Sequence, residues 1–467
     1  MPQKSVLLFN SSRFKEKIDV LEMSGVYPRI GIASIAAQLK KSGFSVKIVD
    51  PEVRGLDLHR IGELIEETRP EVVGFPAFTE EINEAHEIAK AIKEQGSTGI
   101  RTIVGGPHPS AIPEETMHEF PSFDTAVVGE GEVTMHEVMK GRPPDEILGI
   151  VYRKGKTVKH NPQRPLIKDL DTLEFPAWEL YDLDGYRGGS LSVGFSKRGK
   201  TLELPVEGAR GCPFNCIFCY RVTGKTIRFR SPKRVVDEVE RDIELFNAEK
   251  IHFVEGSFGV NPKLGMEICD QLIERRLNKK ITWSTGARVN INPKLLEKMK
   301  RAGCTYIGFG VESGDSEILE KTKKGVSLEQ AEEVFRVCKK IGITTEANFI
   351  LGLPFETKET ALRTIEFAKD IAADNATFAI LVPFPGTEVA DMAKEEIGGL
   401  RIKSYDWRIY GKQIGGALEL QQLQDEELLK LQTLAYRKFY FQFRRLPHLV
   451  SRLSLKRVIY GLKRLRK

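Results

Sequence analysis

Long apolar runs are missing from this 467-residue chain. No stretch approaches the roughly 18 residues needed to cross a bilayer. The opening MPQKSVLLFNSSRFK has neither the apolar core nor the small-residue cleavage site of a secretory signal, so a cytoplasmic protein is expected. Cysteine is scarce as well: six in all, none before residue 212. A disulfide framework is excluded, and the isolated Cys269, Cys304 and Cys338 read as buried thiols in helix- or strand-like segments. The loop after the first strand, NSSRFKEK, has no GxGxxG, which argues against a dinucleotide site. Acidic residues are absent from Ala435 to Lys467, where eleven of the 71 Lys and Arg lie. That leaves 60 basic residues against 65 acidic ones elsewhere, so the net charge of +6 belongs to the tail.

What is present begins with an alternation of short β-rich runs and amphipathic helical stretches over residues 1–145. The strands are predicted as 5–10, 46–50, 72–76, 101–106 and 125–130, with helices such as 32–43 between them. Five strands in βα order predict a flavodoxin-like or Rossmann-like doubly wound parallel sheet, with a ligand at the carboxyl ends of its strands. The turns PRIGIAS, GGPHPSA and GEGE put glycine and proline at those ends, where backbone can approach a large flat ligand. Asp50 ends the second strand where a ribose-binding acid would stand, but the glycines that reading needs are absent.

Residues 196–400 change to a longer βα repeat, with strands at 202–208, 250–256, 281–288, 305–313, 345–353 and 377–384. Asn292-Pro293 opens a helix that Gly303 closes, and Ser327 to Gln330 form a capping box. Six units predict a partial (β/α)6 TIM-like barrel whose chemistry gathers at the C-terminal strand ends. Just past the first of those ends lies GCPFNCIFCY, holding Cys212, Cys216 and Cys219. Composition alone would yield this spacing on the order of once in 10³ such sequences. Structural zinc needs four ligands, and no fourth Cys or His stands at matching spacing. Three thiolates suit a [4Fe–4S] cluster with one iron left open.

The Cys212–Cys219 loop closely resembles the CxxxCxxC loop of radical S-adenosylmethionine (SAM) enzymes. The resemblance implies that the open iron binds SAM and that an electron from the cluster releases a 5′-deoxyadenosyl radical. It places Phe218 near the adenine and Glu255 near the SAM amino group, although this chain reads EG where relatives often show DD. Gly308, Gly310 and Glu312, in GFGVESG, resemble the strand that runs past SAM; ILGLPFET and PFPGT resemble the last two loops. Arg288 ends the third barrel strand and offers a fork for a carboxylate. The series PRIG, IVD, VVGFPAFTE, VGGPHPSAIPEE and VVGEGE resembles the cobalamin-binding domain that precedes one class of these enzymes. Gly105, Gly106, His108, Gly129 and Glu130 are its expected cofactor contacts. DLHRIG (57–62) has the form of a cobalt-ligating DxHxxG, but it follows the second strand and opens a helix, so His59 reads as a solvated helix residue.

Together these resemblances imply a cobalamin-dependent radical SAM enzyme related to the anaerobic Mg-protoporphyrin ester cyclase group. The leading expectation is a C-methyltransferase with a [4Fe–4S] cluster, SAM and methylcobalamin as donor to an unactivated carbon; no catalytic side chain is assigned. The alternative within the class is an oxidative cyclase or oxidoreductase on a tetrapyrrole or lipid. The alternative outside it is a non-catalytic cobalamin- or SAM-binding protein, in which an intact cluster loop would be idle. The tRNA methylthiotransferases are disfavoured, because residues 1–211 carry none of their extra cysteines. The expected partners are a small-molecule, lipid or tetrapyrrole substrate and a reductant protein such as flavodoxin or ferredoxin. Residues 146–195 read as a linker with a hairpin and an aromatic stretch in which Trp178 and Tyr181 pack. Residues 401–467 read as a basic helical domain, a surface helix or else a peripheral membrane contact. No motif supports nucleic-acid binding.

Overall fold

The structure, a computed structural model, describes residues 4–13, 26–94, 99–189, 201–254, 259–413, 415–442 and 445. Its first part interleaves β1 (Ser5–Phe9), α1 (Ile30–Lys41), β2 (Ser45–Val49), α2 (Pro51–Arg54), α3 (Leu58–Thr68), β3 (Val72–Pro76), α4 (Ile82–Glu94), β4 (Arg101–Gly105), α5 (Pro107–Ala111), α6 (Pro113–Glu119), β5 (Thr125–Val127) and α7 (Gly131–Lys140). The sheet order β2-β1-β3-β4-β5 is parallel throughout, with the switch point between β1 and β3. That is the flavodoxin-like order, in which ligands bind outside the carboxyl ends at the switch. β6 (Ile150–Lys154) and β7 (Thr157–His160) then add antiparallel to β5. The hairpin read from sequence as part of the linker thus extends this sheet to seven strands.

The second part runs through β8 (Glu203–Val206), β9 (Ala209–Arg210), β10 (Arg228–Phe229), α8 (Pro232–Phe246), β11 (Lys250–Phe253), α9 (Pro262–Glu274), β12 (Thr282–Arg288), α10 (Pro293–Arg301), β13 (Cys304–Glu312), α11 (Ser316–Lys321), α12 (Leu328–Ile341), β14 (Thr344–Leu351), α13 (Lys358–Asp370) and β15 (Asn375–Ile380). β8 and β11 to β15 form one parallel sheet in chain order, the partial barrel expected. The helix signals hold locally: Asn292 caps α10, and Ser327 with Gln330 makes the capping box of α12. Cys269, Cys304 and Cys338 are buried in α9, β13 and α12. Burial pushes the thiols of Cys269 and Cys338 up to about 12, so they are protonated and inert.

The chain then forms α14 (Glu388–Lys394), a small ribbon of β16 (Leu400–Ile402) and β17 (Leu418–Leu420), and α15 (Asp425–Tyr440). Between the ribbon strands, Trp407 crosses to the first domain, donating to Glu119 Oε1 at 2.8 Å. The basic segment 446–467, read as a surface or membrane helix, lies outside the described residues.

Candidate functional site

The cysteine loop is framed by β9 and β10, which pair Arg210 with Arg228 across its root. Gly211 has φ +91°, and a Cβ there would come within 2.3 Å of the Thr226 carbonyl, so only glycine enters the loop this way. Gly211 N–H donates to Thr223 Oγ1 (2.9 Å), Cys212 N–H to the Gly224 carbonyl (3.2 Å) and Ile217 N–H to the Thr322 carbonyl (3.2 Å). The loop is therefore closed on itself at its root and fastened to the barrel at Ile217, with Cys216 buried, Cys212 half-buried and Cys219 exposed. Desolvation of its sulfur pushes the Cys219 thiol up to about 11, and Cys216, Glu312 and Cys212 add to the rise against Lys324. Among the described residues, no three His, Cys, Asp or Glu side chains gather as they would around one ion. A four-iron cluster takes its thiolates at separate corners, and three soft donors on one loop fit that group and not mononuclear zinc.

Arg288 departs from the expectation of a free carboxylate fork. Its Nη1 points at Cys216 Sγ (3.7 Å), Nη2 donates to the Lys324 carbonyl, and the guanidinium lies 3.7 Å over the Phe214 ring. The guanidinium is shared between Cys216 and Phe214 of the loop and the Lys324 carbonyl beyond α11, because the barrel strand brings Arg288 beneath the loop. Glu312 ends β13 at φ +73° and pairs with Lys324 Nζ at 2.7 Å; both are buried. This pair fills the space over Gly310, where a Cβ would meet Glu312 Oε1 at 2.4 Å. Gly308 is freer, its nearest neighbour being Asn348 Nδ2 at 3.6 Å. Phe218 is half-buried against the barrel core, and Glu255 lies outside the described residues. Lys324 and Phe214 were not singled out in the sequence, since each matters only through Arg288 and Glu312.

In the first domain, Gly106 (φ +111°) lets its turn pass Ala77, whose carbonyl would sit 2.9 Å from a Cβ. Gly105, at the end of β4, accepts from Ala77 N–H at 2.8 Å, and a Cβ there would meet Val127 at 3.7 Å. Gly129 (φ +79°) faces open space and its N–H donates to Ser110 Oγ at 3.0 Å. His108 is buried, edge-on to Trp407 with ring centroids 4.9 Å apart, and neither ring nitrogen has a partner. Burial pushes its pKa down to about 3, so the ring is neutral. These two orphaned nitrogens and the open space over Gly129 fit a large ligand with amide groups, as cobalamin is.

Glu130, expected as a cofactor contact, is placed differently. One oxygen meets Arg210 Nη1 (3.2 Å) and Arg228 Nη1 (2.9 Å), and the other accepts from Ile167 N–H (2.7 Å). It anchors the cysteine loop's root to the first domain, so its cofactor role is not carried forward. His59 is exposed on α3 beside Glu63, and Asp57 caps that helix, which explains the DLHRIG pattern. Asp50 caps α2 and accepts from Tyr186 Oη (2.7 Å), while Trp178 and Tyr181 are buried in packing.

The barrel lumen completes the site. In β13, the residues facing α12 (Ile307, Phe309 and Val311) are buried, whereas Tyr306, Gly308 and Gly310 between them are half-exposed. β14 repeats this at Asn348 and Ile350, and β15 at Thr377 and Ala379. A filled barrel would bury these inward positions; here they stay half-exposed, while the inward Glu346 and Ser284 are buried. The lumen wall is polar. Tyr306 Oη donates to Glu346 Oε2 (2.6 Å), Thr377 Oγ1 to Asn348 Oδ1 (2.6 Å), and His252 Nδ1 meets Ser284 Oγ (2.8 Å). Burial pushes the Glu346 carboxyl up to about 7 and the His252 imidazole down to about 4. The alternation of Glu346 and Asn348 with Ala347 and Phe349 was the signal for this wall in the sequence.

Comparison with known proteins follows the same division. Residues 206–368 match the radical SAM superfamily and residues 16–139 match the B12 binding domain. An uncharacterized methyltransferase of Pyrococcus horikoshii is 33% identical over 422 residues, spanning 89% of this chain and 88% of the relative. The anaerobic magnesium-protoporphyrin IX monomethyl ester cyclase of Cereibacter sphaeroides is 27% identical over 433 residues, spanning 90% of this chain and 68% of the cyclase. Among solved structures, the radical SAM methyltransferase TsrM of Kitasatospora setae, with cobalamin and a [4Fe–4S] cluster bound, aligns with a TM-score of 0.68 at 19% identity. That alignment covers 95% of this chain and 82% of TsrM.

Proposed function

The chain belongs to the cobalamin-dependent radical SAM methyltransferase family, and from that premise we propose that it methylates a carbon of a polar small molecule held in the barrel lumen. One observation carries the substrate class: the lumen is walled by hydrogen-bonding side chains that are neutral or, at Glu346, poised near neutrality. Each pair leaves donor or acceptor capacity unused, such as the second Glu346 oxygen, which a wholly apolar lipid could not meet.

Cys212, Cys216 and Cys219 would hold the cluster, the strand ends around Gly308 would take SAM, and the turns at Gly106, His108 and Gly129 would take cobalamin. Bound there, these groups supply hydrogen abstraction from an unactivated carbon and a transferable methyl. The chain's own part is placement and exclusion. Gly211 sets the loop's entry, the Lys324 ammonium holds the Glu312 carboxylate over Gly310, and Trp407 with His108 closes the side between the domains. Tyr306 and Glu346 orient a polar group in the lumen and hold one proton between them. Electrons would come from a reductant protein of the flavodoxin or ferredoxin type, on the side where Cys219 is exposed.

Protein reconstituted without oxygen, with hydroxocobalamin present, is expected to retain roughly four irons and one cobalt per chain. With SAM and reductant it should release 5′-deoxyadenosine, and S-adenosylhomocysteine as well once cobalt is loaded. Iron and deoxyadenosine without homocysteine product would favour the cyclase-type reaction of its magnesium-protoporphyrin relatives. A chain that retains no iron would overturn the reading.

A further inference from the structure

Arg288 is a buried cation without a carboxylate partner among the described residues. It is 8% exposed. Its Nη1 faces Cys216 Sγ at 3.7 Å, its Nη2 is taken by the Lys324 carbonyl, and its Nε has no partner. Glu312, at the end of the neighbouring strand β13, is already paired with Lys324 at 2.7 Å. A guanidinium is rarely buried without a counter-charge, since desolvation then has no compensation. What it faces here is sulfur, on a loop that the proposed function fills with an anionic iron–sulfur assembly.

We propose that Arg288 is a positioning and potential-setting residue for the cluster, and not a binder of the SAM carboxylate. Two contacts act together. Stacking on Phe214, 3.7 Å away, fixes the turn between Cys212 and Cys216. The N–H directed at Cys216 Sγ places a full positive charge beside one ligating sulfur in a low-dielectric setting. Three thiolates already make the loaded site anionic, and one-electron reduction adds a further negative charge. The guanidinium stabilises the reduced form more than the oxidised form, which raises the potential. Hydrogen bonds to sulfur and local net charge are recognised levers on such potentials. The inference rests on the radical SAM reading of the cysteine loop, and its test separates the two.

The reconstituted full chain is titrated with dithionite or titanium(III) citrate, without SAM, and the reduced cluster is counted by electron paramagnetic resonance. Arg288→Met, loaded to the same iron content as wild type, is expected to lower the reduced-to-oxidised ratio at a fixed potential at least about tenfold, ~59 mV for one electron. Arg288→Lys keeps the charge but loses the planar fork, and should fall between the two. Phe214→Leu frees the guanidinium to turn away and should shift the ratio in the same direction by less. If Arg288→Met will not load, the Lys and Leu variants carry the test alone. An unchanged ratio in the loaded variants, with SAM affinity reduced, would overturn the proposal and restore the carboxylate fork. A wild-type chain that forms no cluster would overturn the radical SAM reading itself, and the inference with it.

Discussion

At the scale of single residues, burial decides charge state, and Glu356 shows the consequence most directly. It follows Phe355, a non-glycine residue at φ +65°, and its Oε2 accepts from Gly352 N–H while Oε1 has no partner. Desolvation pushes its carboxyl up to about 8, against backbone hydrogen bonds that oppose the rise. The folded chain thus keeps this proton up to about pH 8, whereas an unfolded glutamic acid releases it near pH 4.5. Between those values unfolding releases a proton, so this group's stabilising contribution declines as pH rises and levels off above about 8. Glu356→Gln, which keeps the acceptor and cannot ionise, should flatten that slope by up to about 1.4 kcal/mol per pH unit. Urea midpoints of both proteins at pH 5, 6.5 and 8 check this, and parallel slopes would mean that Glu356 ionises normally. Sequence reading reached the ILGLPFET segment as a family loop but not this proton, because charge state depends on what folds over the carboxyl. The same limit applies at Arg288, legible as a strand-end guanidinium but not as the neighbour of Cys216.

At the scale of elements, a partial barrel leaves β15 as an edge strand, and exposed edges invite pairing with other chains. α15 covers that edge with side chains from one face. Tyr436 Oη accepts from Phe378 N–H at 3.2 Å, Gln432 Nε2 donates to the Phe378 carbonyl at 2.8 Å, and Tyr440 Oη accepts from Ala376 N–H at 3.1 Å and donates to its carbonyl at 3.0 Å. Residues 432, 436 and 440 recur every four positions, so one helix face meets alternate residues of one strand. Tyr436→Phe and Tyr440→Phe each keep the ring and strand a buried backbone N–H. Each should lower stability by about 1–3 kcal/mol, read as a lower urea midpoint at unchanged m-value. Changes below about 0.5 kcal/mol would show that apolar packing alone holds α15 to the barrel. The helix was legible as part of the basic helical segment 401–467; its docking was not, since nothing local distinguishes a tyrosine that caps an edge from one that packs. The barrel strands, by contrast, were legible in number and order, because each alternates apolar outward residues between helical stretches, although the expected 377–384 overran β15 by four residues.

At the scale of the whole molecule, the two domains are joined where the cysteine loop begins. Arg210, the residue before Gly211, contacts Glu130 (3.2 Å) and Glu132 (2.6 Å) from the first domain and Glu207 (2.7 Å) from its own. Arg228, at the loop's other end, contacts Glu130 at 2.9 Å. One carboxylate from the GEGE turn thereby holds both ends of the loop, which ties the domain expected to carry cobalamin to the loop expected to carry the cluster. In the sequence, GEGE reads as a ligand-end turn because its partners lie 80 and 98 residues away. Removing Glu130 takes the carboxylate from Arg228 while Arg210 keeps Glu132 and Glu207; breaking a buried pair in this way typically costs about 3–5 kcal/mol. Glu130→Ala is therefore expected to destabilise the chain by that amount and to lower iron retention, although position 130 touches no cysteine. Glu130→Gln keeps the shape and one acceptor, and should lose less on both measures. Iron content after identical reconstitution, set beside the urea midpoint, separates the two roles. Loss of stability with full iron retention would make Glu130 an interdomain anchor only. Loss of both, graded from Gln to Ala, would mean that the first domain helps to shape the loop into which the cluster is loaded.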